Sequence, residues 1–415
     1  MGKKYCDGHW DFRTANTKTL SHGLHTYPAM MIPQVASSLL ERHGSGIQTL
    51  FDPYCGTGTS LVEASVRGIT AIGTDVNPLA RLISKVKTTP VSLKTLDLYS
   101  KDFHDYAFRS TFEHLSPTDI PQFPNIDYWF APRVQQHLAL IKQYIGSIDE
   151  PDIADFFNVA FSETVRESSW TRNGEFKLFR MTDAQRERFE PNVFGIMLSK
   201  LARNRSGIAA FIAALPPRPT CSVRIEQFNT VCGIPAHLHL TESVDMVLSS
   251  PPYGDSRTTV AYGQYSRLAN QWLGYGEAAI VDSLLMGGKI RSTTTTLPDL
   301  AESVIADIHT KDAKRAAEVR SFYADYADSI AHVANTIKRR GKACYVVGNR
   351  RVKGIALPTD EITRLLFESH QFTHVETIVR TIPNKHMPSK NSPTNVVGAH
   401  DSTMTQEFIV VMQKH

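Results

Sequence analysis

Ile47–Asp52 (IQTLFD) runs directly into Pro53-Tyr54-Cys55-Gly56-Thr57-Gly58-Thr59, and this join decides the fold. A short apolar run that stops at Pro and Gly reads as a buried strand. Gly58–Val66 then carries helical spacing, and Thr70–Asp75 (TAIGTD) reads as a second strand. Pro78–Val86 (PLARLISKV) reads as a second helix with Pro in its first turn. Strand, helix, strand and helix in that order argue for a parallel α/β sheet. A loop at the carboxyl end of the first strand sits where open α/β sheets take ligands.

The periodicity changes downstream. Leu96–Leu115, Pro132–Ile148, Ile153–Ser168 and Asn192–Leu215 all repeat at helical spacing with no clear strand between them. Pro216, Pro217 and Pro219 mark the return to the sheet. Strand-like runs resume at Ser222–Gln227, Val244–Ser249 and Ala343–Gly348, the last preceded by a long amphipathic stretch, Ala313–Lys338. Thr373–Arg380 and Glu407–Met412 suit an antiparallel hairpin at the sheet edge, and the polar stretch His386–Thr403 reads as a loop. The expected organisation is a catalytic domain built from 1–95 and 220–415, interrupted by a largely helical insertion at 96–219.

Composition narrows the class. The 415 residues are 41% hydrophobic and 21% charged, as in an ordinary enzyme with a sizeable core. No apolar run approaches the ~18–20 residues of a membrane span. Met1–Phe12 is polar and lacks a signal-peptide core, so a cytoplasmic protein is expected. Cys6, Cys55, Cys221, Cys232 and Cys344 are scattered and odd in number, which excludes a disulfide framework and a Cys-based zinc site. His22 and His25 have no third ligand at a suitable spacing, so no metal is expected. A net charge of +4 is compatible with a polyanionic partner.

Two loops carry the chemistry. In the first, Gly56 and Gly58 permit a tight turn and close approach of backbone to ligand. The third Gly of a dinucleotide fingerprint and the Lys of a phosphate loop are both missing. The loop therefore suits a ligand with a charged amino-acid end better than a pyrophosphate. Asp75 ends the second strand, where a carboxylate can accept from both ribose hydroxyls of an adenosine. In the second loop, the apolar run Val244–Ser249 enters Ser250-Pro251-Pro252-Tyr253. Two successive prolines stiffen the backbone. One side-chain oxygen and one carbonyl held there suit the two hydrogens of an exocyclic amine, and Tyr253 offers a face for a flipped base.

Together these loops resemble the DNA amino-methyltransferases of the N-4/N-6 family, and the resemblance extends over most of the chain. Asp52-Pro53-Tyr54-Cys55-Gly56-Thr57-Gly58-Thr59 is similar to that family's cofactor motif, and Ser250-Pro251-Pro252-Tyr253 to its catalytic motif. His25-Thr26-Tyr27-Pro28-Ala29 resembles the segment that covers the methionine end of the cofactor. Gly73-Thr74-Asp75-Val76-Asn77-Pro78 resembles the family's second strand end. Tyr262–Trp272 resembles the stretch after the catalytic loop, and Arg380 through Met412 the closing hairpin.

The resemblance implies a class I, Rossmann-like S-adenosylmethionine-dependent methyltransferase with a seven-stranded sheet containing one antiparallel strand. It implies Ser250, Pro251, Pro252 and Tyr253 as catalytic residues. It implies His25, Tyr27, Pro28, Asp52, Pro53, Cys55, Gly56, Thr57, Gly58, Thr59, Asp75 and Asn77 around the cofactor. Ser at the first catalytic position is typical of enzymes that methylate the 4-amino group of cytosine, whereas Asp or Asn is typical of adenine-N6 enzymes, the alternative reading. No Cys lies near Ser250, against a carbon-5 cytosine enzyme. An RNA methyltransferase and an inactive nucleic-acid-binding homologue stand behind these two readings. The implied partners are double-stranded DNA with a flipped base and a cognate restriction endonuclease, with oligomeric state left open.

The roughly 190 residues between the two loops have room for a target-recognition region. Arg166, Arg172, Lys177 and Arg180 with Trp170 combine charge and aromatic faces, a combination that can bind phosphates and read base edges. Arg350 and Arg351, after the strand ending at Gly348, and Lys385 in the tail loop are further DNA candidates.

Overall fold

A computed structural model describes residues 2–172, 174, 176–217, 221–254, 262–291, 294–382, 390–391, 401–402 and 404–415. The chain opens with a short strand, β1 (Lys3–Cys6), and a helix, α1 (Pro33–His43). β2 (Thr49–Asp52), α2 (Thr59–Ser65), β3 (Thr70–Thr74) and α3 (Pro78–Thr88) follow. Next come α4 (Leu93–Phe112), α5 (Ile126–Trp129), α6 (Pro132–Gly146), α7 (Pro151–Ser168), α8 (Asp183–Glu187) and α9 (Val193–Ala214). Among the described residues this stretch contains no strand, only an isolated bridge between Thr171 and Arg180. β4 (Val223–Glu226) and β5 (Val244–Ser249) return to the sheet.

α10 (Tyr262–Leu273), α11 (Val281–Leu284), α12 (Asp299–Lys311) and α13 (Ala313–Ala334) precede β6 (Ile337–Val347). A small hairpin, β7 (Arg351–Val352) with β8 (Ile355–Ala356), leads to α14 (Thr359–Glu368) and β9 (Phe372–Thr381). The short pair β10 (Lys390–Asn391) and β11 (Asp401–Ser402) comes before β12 (Gln406–Lys414). Helices α1, α3, α6 and α7 each begin on a proline, whose missing N–H costs nothing in a first turn.

The main sheet runs β1-β9-β12-β6-β5-β2-β3-β4. β12 is antiparallel to β6 and β9, and the remaining neighbours are parallel. Seven of these strands follow the expected pattern with one reversed strand, and β1 adds an eighth. The closing hairpin is therefore not at the edge: β1 pairs along β9 and takes the outer position. Lys3–Cys6 is polar and mostly exposed, which suits an edge and leaves no apolar run to read in the sequence.

Side chains alternate between two layers, as the strand period of two requires. Ala343, Tyr345 and Val347 of β6 join Phe51 in a cluster with α12, α13 and α14. Cys344 and Val346 join Leu50 and Leu248 in a second cluster with α1 and α2. A third cluster unites α4, α6, α7 and α9 with α3 and α10, through Phe103, Phe157, Phe161 and Trp272. These helices thus pack directly against the helices flanking the ligand edge of the sheet. β2 has β3 on one side and β5 on the other, so a switch point opens between the ends of β2 and β5.

Candidate active site

The loop after β2 needs glycine twice. Gly56 and Gly58 have φ of 49° and 79°, the left-handed region that disfavours a side chain. At Gly58 there is also no room, since a Cβ would lie 2.8 Å from Ser84 Oγ on α3. The turn brings backbone up to Asp75: Gly56 N–H donates to its Oδ2 at 3.1 Å, and Asn77 N–H to its Oδ1 at 2.8 Å. Burial pushes the Asp75 carboxyl up, against the effect of these bonds and of Arg81.

Asp52 is buried at the end of β2. It accepts from Ser249 Oγ at 2.5 Å, Tyr54 N–H at 3.1 Å and Ser60 Oγ. Burial nevertheless pushes its carboxyl up to about 6. Ser249 is the last residue of β5, so Asp52 ties the two loop-bearing strands together.

Asn77 caps α3 through Leu79 N–H, 3.2 Å from its Oδ1, and its amide reaches outward. Nδ2 donates to Tyr27 OH at 2.7 Å and to Ser266 Oγ at 3.0 Å, while Asn270 Nδ2 donates to Oδ1 at 3.2 Å. The Tyr27 ring stacks on Tyr262 at 6.0 Å between centroids. His25, expected beside the cofactor, points the other way. Its Nε2 meets Ser162 Oγ of α7 at 3.0 Å, and burial holds it near 4, hence neutral.

Ser250 follows β5. Its hydroxyl donates to the Val346 carbonyl at 3.1 Å and lies 3.1 Å from Tyr253 OH. Tyr253 OH donates to Glu407 Oε1 at 3.0 Å, and Glu407 also pairs with Arg380. Arg380 Nε donates to the Trp10 carbonyl at 2.7 Å. The second loop is thus held by β6, β12, β9 and the N-terminal segment.

One cleft joins the two loops, with about 660 Å³ of space between its atoms, part of it open to solvent. Of the expected residues, Tyr27, Pro28, Asp52, Cys55, Gly56, Thr57, Thr59, Asp75, Asn77, Ser250 and Pro252 line it. Pro53, Gly58, Pro251 and Tyr253 belong to the same loops but stand outside that lining. Met30, Met31, Tyr54, Tyr262 and Leu285 also line the cleft, although the sequence did not single them out as site residues. Met30 and Met31 directly follow Tyr27-Pro28-Ala29, which was an available signal. Leu285 has no local signature.

The cleft lies where open α/β sheets take ligands, at the carboxyl ends of β2 and β5. Its wall offers two carboxylates, a backbone bent for close approach and flanking aromatic rings. An adenosine with two hydroxyls, joined to a sulfonium and an amino-acid end, matches that donor set. A seven-strand class I sheet, with this cleft at its switch point, defines an S-adenosylmethionine-dependent methyltransferase.

Comparisons with known proteins narrow the class. The RMKL-like methyltransferase-domain family matches residues 24–127. The type II methyltransferase M.MvaI of Kocuria varians is 40% identical over 429 aligned positions, covering 97% of this chain and 93% of its own. M.MjaII of Methanocaldococcus jannaschii, also a type II methyltransferase, is 37% identical over 75 residues, 18% of this chain and 14% of its own. The solved rRNA methyltransferase aviRa from Streptomyces viridochromogenes covers 94% of this chain and 88% of its own at 14% identity. Its TM-score of 0.30 carries no argument. The chain belongs to the type II DNA methyltransferases, the modification enzymes of restriction–modification systems.

The expected DNA residues separate into groups. Arg166 is 6% exposed, donates to the Tyr265 carbonyl at 3.2 Å and lies 4.2 Å from the Tyr265 ring, so it is a core residue and not a phosphate contact. Arg172 and Lys177 are exposed beside Phe176 and Phe179, which are 44% and 42% exposed. Trp170 is half-buried, with the Arg180 and Arg186 guanidinium groups over its ring. Arg180 also lies 3.9 Å from the Tyr128 ring. Phe176 approaches Tyr265, which contacts Tyr27, so this segment borders the cleft. Arg350 is half-buried, and Arg351 is exposed with Nη2 on the Gly354 carbonyl. Lys385 lies outside the described residues.

Proposed function

We propose that the protein transfers a methyl group from S-adenosylmethionine to the exocyclic 4-amino group of cytosine in duplex DNA. The observation that carries this reading is the bonding of Ser250. A serine has one hydrogen, and the Val346 carbonyl can only accept, so that hydrogen is committed. Tyr253 gives its own hydrogen to the Glu407 carboxylate, the stronger, charged acceptor. Ser250 Oγ is left presenting lone pairs at the cleft, as an acceptor for an amine hydrogen. The Pro251 carbonyl is the second acceptor.

The cofactor, when bound, supplies a methyl group made electrophilic by its sulfonium. The chain's task is alignment of the amine with that methyl. Acceptors at Ser250 and Pro251 stabilise the positive charge that develops on the nitrogen. Asp75 takes the ribose hydroxyls, Asp52 faces the positive groups, and Tyr27, Pro28, Cys55, Gly56, Thr57, Thr59 and Asn77 shape the walls. The target base leaves the duplex at a cost of a few kcal/mol, offset by stacking on aromatic rings at the mouth.

In the same reading, residues 1–95 and 220–415 form the catalytic domain and 96–219 the target-recognition region. Arg172, Lys177 and Arg180 with Trp170, together with Arg350 and Arg351, contact DNA. The enzyme works in the cytoplasm, protecting host DNA from a cognate endonuclease. The test is methylation of unmethylated plasmid with labelled S-adenosylmethionine, followed by digestion and mass separation of nucleosides. Label on cytosine N4 is expected. Label on adenine N6 overturns the base assignment and keeps the family.

A further inference from the structure

The last turn of α3 holds a lysine with no exposed atom. Lys87 is 0% exposed; its Nζ lies 3.1 Å from Thr57 Oγ1 and 3.9 Å from Met30 Sδ. Among the described residues no carboxylate comes within ion-pair distance of it. Among the described residues the anion that acts on it is Glu163 of α7, and that carboxylate is already engaged by Thr26, Arg203 and Lys200. Nearby His22 and His25 are both held below their ordinary value, first by burial and further by the Lys87 charge, and an imidazole brings no negative charge in either form. Glu63 is likewise taken by His22 and Arg67. Burying an ammonium without a counter-ion is costly, and burial pushes Lys87 down to about 7.

Thr57 and Met30, the two groups that Lys87 touches, both line the cleft. Among the described residues the wall itself contains Asp52 and Asp75 and no lysine or arginine. A ligand with an amino-acid end brings a carboxylate as well as an ammonium. The ammonium finds acceptors in that wall, but the carboxylate finds no cation. Directly behind the wall at Thr57 stands Lys87. It donates to Thr57 Oγ1, which leaves the hydroxyl hydrogen of Thr57 to donate onward, and a charge at one end polarises such a chain.

We propose that Lys87 is a positioning residue for the carboxylate of the cofactor's methionine end, acting through the Thr57 hydroxyl between it and the cleft. The proposal rests on reading the cleft as the cofactor site, and the test keeps the two apart. Calorimetric titration of the full chain compares two ligands: S-adenosylhomocysteine, which has the carboxylate, and 5′-deoxy-5′-methylthioadenosine, which lacks the amino-acid end. Lys87→Met is expected to weaken the first by about tenfold or more and the second less than about twofold. Thr57→Val, which keeps the buried lysine, is expected to show the same selectivity and decides the matter if Lys87→Met does not fold. A folded variant that binds both ligands like the wild type, or loses both equally, overturns the proposal. Asp75→Ala is the control for the cleft: it weakens both ligands, and if it weakens neither, the cofactor reading itself is what fails.

Discussion

The loops after β2 and β5 leave neighbouring strands, face one cleft and are built in opposite ways. The β2 loop is closed mainly by near neighbours: Asp52 binds Tyr54 and Ser60, and Asp75 binds Gly56 and Asn77, with the bond from Ser249 of β5 to Asp52 as a tie from far away in the chain. The β5 loop is held from far away in the chain, by the Val346 carbonyl and by Glu407, itself fixed by Arg380. A loop that binds a constant ligand can be written into a few consecutive residues. A loop that must hold a reacting amine against strain is braced by the strands around it.

If the loops divide binding from chemistry, mutations must separate them. Ser250→Ala is expected to lower the single-turnover methylation rate by about a hundredfold or more, with S-adenosylhomocysteine affinity unchanged. A wild-type rate sinks the proposed role. Asp75→Ala is expected to do the reverse, weakening cofactor binding by about 10- to 100-fold in calorimetry, the worth of hydrogen bonds to a charged group. Tyr253→Phe keeps the ring and the Arg380–Glu407 pair but removes the hydroxyl beside Ser250. It should cost about tenfold in rate and nothing in cofactor affinity, equivalent to about one hydrogen bond. An equal loss of both would mean the loops are not separable.

The smallest effect is a pH dependence. With Asp52 pushed up to about 6 by burial, its ionised form, which suits a cationic ligand, predominates only above that value. Affinity for S-adenosylmethionine should fall as pH drops below about 6, by at most about tenfold per unit, and Asp52→Asn should flatten the profile. The free protein has the opposite sign. A carboxyl whose folded value lies above its unfolded value contributes stability at low pH, and that contribution is lost as pH rises through about 6. Thermal unfolding of wild type against Asp52→Asn between pH 4 and 8 measures it.

The same contrast explains what the sequence disclosed. Asp52, Gly56, Gly58, Asp75 and Asn77 lie on two adjacent strand–helix turns, where local spacing and the family resemblance together single them out as cofactor candidates. Glu407 and Arg380 are a charged pair on two late strands, with nothing nearby to connect them to Ser250. His25 looked like a cleft residue because His25-Thr26-Tyr27-Pro28-Ala29 resembles the family's covering segment, yet the chain turns it toward Ser162 of α7. Arg166 looked like a phosphate contact, but at helical spacing it falls on the buried face of α7 and stacks on Tyr265. Lys87 ends an amphipathic helix, where a lysine ordinarily reaches solvent, so its burial could not be read from pattern alone.

The eighth strand has a consequence of another kind. β9 would otherwise end the sheet with a row of unpaired backbone groups, an invitation to a strand from another molecule. β1 covers that row with Lys3 and Lys4, whose charges discourage further addition, and Lys4 is anchored to Asp360 of α14. Shelf life in concentrated solution therefore depends on these few residues, far from the cleft. A preparation clipped ahead of Asp7 would be expected to clump before it lost its catalytic competence.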